Sequence, residues 1–109
     1  MSGSGGGGGV PSINRPSAIE SCDDLVINTN LASPRTEVVT HLEPGNILDI
    51  RLEGDQGPIV AVDGNGNVAG SIISREQLRL LSCIVAGTQF VAEILSIING
   101  QCQVQIRTR

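Results

Sequence analysis

The chain contains no lysine, no tryptophan and no tyrosine, and its one phenylalanine is Phe90. Each absence excludes something. Without tyrosine and tryptophan there is no stacking platform of the kind that holds single-stranded bases, and the core must be built from isoleucine, leucine and valine. All seven basic residues are arginine, against eleven carboxylates, for a net charge of −4. Proteins that grip nucleic acid neutralise phosphates with a basic face, and no such excess exists over this chain as a whole. No stretch approaches the roughly 20 apolar residues of a membrane-spanning helix. The first residues carry neither a basic region nor an apolar one, so they predict no secretory signal.

Cysteine is scarce and odd in number: Cys22, Cys83 and Cys102. Their spacing fits no metal motif of the CxxC kind. An odd count predicts free thiols over a disulfide framework, and with them a reducing, cytosolic setting. Cys83 and Cys102 stand in apolar patterns, where a free cysteine acts as a small hydrophobe. Cys22 precedes Asp23 and Asp24, which would raise its pKa rather than activate it.

What is present is β-branched and turn-rich. Residues 1–17 include five consecutive glycines flanked by serine and proline, and such a segment does not repay the entropy of ordering. We expect a disordered leader there and a single domain over residues 18–109. The glycine run is not a phosphate-binding loop, which needs a strand before it and a Gly-Lys-Ser/Thr after it.

Asp24–Leu31 reads as a first strand, Ser33-Pro34-Arg35 as a turn and Glu37–Leu42 as a second short strand. After the Glu43-Pro44-Gly45-Asn46 turn, Ile47–Glu53 alternates with a period of two, which assigns Leu48, Ile50 and Leu52 to the core. Ile59–Val62 is apolar throughout, as suits a strand covered on both sides. Asp63-Gly64-Asn65-Gly66-Asn67 is a tight connection to a return strand over Val68–Ile73. Ser74 and Gln77 form a capping-box pattern, with Leu78, Leu81, Ile84 and Val85 at helical spacing and Gly87 as the stop. One helix is therefore expected at about 75–86. Thr88–Ile98 and Gln101–Arg109 flank Asn99-Gly100, a strong hairpin dipeptide. A two-residue loop there pairs Leu95 with Val104 and Glu93 with Ile106. A three-residue loop pairs Ile94 with Ile106 and keeps Glu93 off the apolar face, which favours it. The expected fold is mainly β (α+β): a small six- or seven-stranded barrel or strongly bent antiparallel sheet, with the helix over one open end.

Candidate chemistry is sparse. Asp63, Asn65 and Asn67 fit the first ligand positions of a calcium loop, but Val68 and Ser74 stand where such a loop needs glycine and glutamate, so a plain hairpin turn is the better reading. His41 is the one histidine, and an enzyme would need it close to a cysteine or carboxylate. No elbow motif around a serine or cysteine supports that. Asp49 and Glu53 share a strand face but lie about 13 Å apart, too far for shared acid–base work. No catalytic residue, metal or cofactor is assigned. Arg75 and Arg79 are four apart on the expected helix, and with Arg51 they make a candidate anion or nucleic-acid site, weighed against ordinary solubilising charge.

From Leu42 onward the text runs as LxxGxxLxIRLE, then PIVAVDxxGNVAGSI, a capped helix, and GTQFVAEILSI before the closing strand. This order resembles the HIRAN domain, a small β-barrel found alone or attached to helicases. Pro58, Val60, Val62, Gly70, Ile72, Gly87, Phe90 and Ala92 occupy the family's matching places, over about 65 residues. The resemblance implies a barrel and, for members that hold a single-stranded DNA 3′ end, aromatic stacking on the terminal nucleotide. Here Ser71 replaces the frequent aromatic and the Asn-Pro-aromatic-Asp segment is missing, so no DNA-contacting residue is carried over. The leading expectation is a non-enzymatic binding module that works through a protein partner or as a homo-oligomer. Strands apolar on both faces need covering, and an apolar patch left over marks an interface. The alternative is a HIRAN-like binder of nucleic-acid ends.

Overall fold

The computed structural model describes residues 22–55 and 57–109. The leader expected over residues 1–17 lies outside them. The chain runs β1 (Ile27–Asn30), α1 (Thr36–Val39), β2 (Ile47–Leu52), β3 (Ile59–Val62), β4 (Val68–Ser71), α2 (Gln77–Val85), β5 (Phe90–Ile98) and β6 (Gln101–Thr108). The six strands form one antiparallel sheet in the order β1-β6-β5-β2-β3-β4, curled into a half-barrel. The two edges of the sheet come together just past β1, where the Arg35 N–H donates to the Ala69 carbonyl at 2.8 Å. The backbones of Ala32 and Ser71 exchange two hydrogen bonds of 2.8 and 2.9 Å, just past the end of β1. Gly70 makes this approach possible: a Cβ there would stand 3.0 Å from the Ala32 carbonyl and 3.0 Å from Leu31.

Alternation places Leu48 and Ile50 inside, as the period of two requires. They join Ile27, Ile59, Phe90, Ile94, Val104 and Ile106 in an almost wholly aliphatic core. β3 is buried along its whole length. Ile59 and Ala61 face the core, so by alternation Val60 and Val62 occupy the outer face. The register sets Arg51 opposite Val60 and Arg107 opposite Val91, where arginine stems can lie along apolar surface with their charge in water.

Four expectations are corrected. The segment after Ser33-Pro34-Arg35 is not a strand but the single-turn helix α1. Val38 and Val39 are both buried, and adjacent residues on a strand point to opposite faces, whereas on a helix turn both can lean inward. The described residues therefore hold two helices rather than one.

The hairpin register is neither of the two expected ones. Asn99 and Gly100 both have positive φ, and the turn begins as a two-residue loop with Ile98 opposite Gln101. An irregularity between Ile94 and Ser96 then shifts the pairing, so that Ile94 faces Val104 and Glu93 faces Gln105. The extra residue is Leu95. A bulge of this kind resets the side-chain alternation, which lets Ile94 and Ile97 both turn toward the core.

The third correction concerns α2. It is held by Leu80 and Cys83, with Leu81 and Ile84 half-buried, while Leu78 and Val85 are 79% and 67% exposed. The fourth is the thiol state. Cys22 and Cys83 form a disulfide across a sequence separation of 61, with Cα atoms 5.8 Å apart, and Cys102 is the free, buried cysteine.

Candidate functional site

α2 begins where β4 ends, and the capping-box residues fasten it there. The Ser74 N–H donates to Gln77 Oε1 at 3.0 Å and the Glu76 N–H donates to Ser74 Oγ at 3.1 Å. Gln77 Nε2 donates in turn to the Ile72 carbonyl at 2.9 Å, so one side chain ties the helix start to the sheet. At the other end Gly87 adopts φ 106°, its N–H donates to Ile84 and the Thr88 N–H donates to Cys83. This is the Schellman closure that a C′ glycine allows. With both ends fixed and Cys83 bonded to Cys22, the rotation of α2 about its axis is set. Its outward stripe is Leu78, Ser82 and Val85, all exposed, and the exposed Arg75 comes just before the helix.

The expected anion set does not come together as one patch. Arg51 projects from the outer face of β2, away from the core on which α2 packs, and pairs with Asp49 at 3.6 Å. Asp49 also receives Arg109. Arg79 pairs with Glu76 at 3.5 Å. Arg75 precedes α2 rather than lying within it, and makes no ion pair or hydrogen bond to a described residue. It lines a groove of about 430 Å³ beside Val26, Asn28, Thr29 and Ser74, between β1 and the start of α2.

His41 lies exposed in the turn after α1, where its N–H donates to the Val38 carbonyl. A cleft of about 320 Å³ is lined by Thr36, Val39, Thr40, Leu42, Pro44 and Ile97, without His41, an apolar set with two hydroxyls. Cys102 is wholly buried, and burial pushes its thiol pKa up, so it stays protonated and unreactive. Among the described residues no three of His, Cys, Asp and Glu are placed to hold a metal ion. The Asp63 carboxylate serves its own loop. Oδ1 accepts from the N–H groups of Asn65 and Asn67, both at 2.9 Å, and the Asn67 amide above all holds the carboxyl below the usual carboxylate value.

The exposed apolar stripe of α2 is the feature that periodicity missed. Apolar residues occur nearly all round this helix, and the stripe that faces the core starts with the polar Gln77. The signal was present in the pairing of Ser74 with Gln77, which turns Gln77 inward and so turns Leu78 outward. Among the described residues no helix is long and apolar enough to cross a membrane. The chain matches no family model, no curated protein and no solved structure.

Proposed function

We propose that this half-barrel is a non-enzymatic interaction module that works through protein contacts. The observation that carries the reading is the apolar side of α2 that no described residue covers. Leu78 and Val85 stand on one helix face, with Ile73 at 67% exposure just before it. Exposed hydrophobes also occur singly at Val26, Ile47, Leu95 and Ile98 and need no explanation there, whereas Leu78 and Val85 share one face of a helix, the kind of surface that marks a contact site. The groups that chemistry would use are otherwise engaged: Arg51 and Arg79 face carboxylates, and Asp63 caps its turn.

The HIRAN-like reading, a holder of single-stranded nucleic-acid ends, is the second proposal. Arg75 at the mouth of the groove beside β1 is the observation that favours it. The two readings separate by salt. Phosphate contacts are lost steeply as salt rises, and apolar contacts are not. Light scattering with and without a short single-stranded oligonucleotide decides between them. A mass unchanged by the oligonucleotide at low salt supports the protein-contact reading. A complex that forms at low salt and disperses at high salt reverses the order.

The cytosolic setting expected from the sequence rested on free thiols. The Cys22–Cys83 bond removes that ground, because disulfides persist in oxidising surroundings. We therefore infer a setting that keeps this bond formed.

A further inference from the structure

We propose that the occupant of the α2 face is a second copy of the chain, packed about a twofold axis with the two α2 helices antiparallel. The proposal rests on the interaction-module reading and names its partner. The exposed stripe Leu78, Ser82, Val85 follows the three- and four-residue spacing of one helix face, opposite the side that seats Leu80 and Cys83 in the core, and the exposed Arg75 stands two residues before the helix. A twofold interface uses the same patch on both copies, so the patch must complement itself. This one does when the helices run antiparallel. Leu78 of one copy then meets Val85 of the other, and the small Ser82 falls near the axis, where it lets the two backbones approach.

Charge selects the same arrangement. A helix N-terminus carries partial positive charge and its C-terminus partial negative charge. Arg75 and Arg79 stand at the N-terminal end of α2, which has no acidic residue in its first turn and no basic residue in its last. Arg79 is offset by Glu76, whereas Arg75 has no described partner. At the far end the amides of Ala86, Gly87 and Thr88 take the carbonyls of Ser82, Ile84 and Cys83. The Val85 and Ala86 carbonyls are left without a described partner. In the antiparallel pair each Arg75 reaches the other copy's free carbonyls. A charge that is unfavourable on its own helix becomes favourable on its neighbour's, twice per dimer. A parallel pair would instead set arginine against arginine.

Sedimentation equilibrium over a wide concentration range, on the full disulfide-bonded chain, tests this with Leu78→Glu and Arg75→Glu. The wild type should rise from monomer toward twice the monomer mass. Leu78→Glu should stay monomeric with an unchanged far-UV spectrum, since the residue is exposed. Arg75→Glu should dimerise roughly tenfold more weakly while melting no lower than wild type, because a carboxylate suits its own helix end. A merely structural role for Arg75 would not separate those two readouts. Wild type that stays monomeric throughout overturns the second copy as occupant and leaves a different protein partner as the module's reading. A dimer undiminished in Leu78→Glu overturns the α2 face and leaves self-association elsewhere.

Discussion

Gly70 shows what one missing side chain does for this fold. The edges of the sheet come together where the chain past β1 crosses β4, and a Cβ at position 70 would press on the backbone of Ala32. Gly70→Val should therefore cost about 1–3 kcal/mol, the usual range for overpacking, read as a lower denaturant midpoint. The amide of Ala32 should lose hydrogen-exchange protection first. Asp63 is a second residue with its own signature. Its folded pKa is depressed by the loop amides, so what it adds to the turn is fully present above the ordinary carboxylate value and is lost as pH falls through the lower, folded value. In an NMR pH titration the amide shifts of Asn65 and Asn67 should move with a midpoint below that of a free aspartate side chain. Thiol counting tests the cysteines. The native chain should react at none, the denatured and unreduced chain at Cys102 only, and the reduced chain at Cys22, Cys83 and Cys102. Replacing Cys22 and Cys83 together by serine should remove about 4 kcal/mol, as expected for opening a loop of this length in the unfolded chain.

Helix α2 gives a paired comparison, because two of its leucines have opposite surroundings. Leu80 is buried and Leu78 is 79% exposed. Leu80→Ala should cost about 2–5 kcal/mol, and Leu78→Ala less than about 0.5 kcal/mol, measured by chemical unfolding under non-reducing conditions at a concentration where the chain is monomeric. The contrast also marks what was legible in the sequence. The caps of α2 were readable because Ser74, Gln77 and Gly87 act locally. Which side of the helix faces inward was not, since that depends on the Gln77 bond to Ile72 and on the Cys22–Cys83 bond, contacts across the fold. The same division runs through the strands. β2 declared itself by alternation, and the Asn99-Gly100 turn by its dipeptide. The bulge at Leu95 left no local mark, because it answers to the need to bring both Ile94 and Ile97 to the core. α1 was hidden by its valines, which favour strands and here pack as a pair on one helix turn.

At the scale of the whole molecule, strand count, turn spacing and an aliphatic composition pointed to a small barrel or strongly bent antiparallel sheet, and the curled six-stranded half-barrel agrees with that. The candidate site was less legible. Arg51, Arg75 and Arg79 were picked out as a candidate anion site from their type and spacing, and the carboxylate partners of Arg51 and Arg79 depend on where the fold places Asp49 and Glu76. The outer side of α2 has no described partner, and its role as a contact surface is the central proposal. A dilution series of ¹H–¹⁵N correlation spectra tests this most directly. Raising the concentration should shift the amides of Arg75, Leu78, Ser82 and Val85 together, along one binding curve, and leave those of Arg51 and His41 unmoved. Spectra in which the α2 amides stay fixed while others move would contradict it.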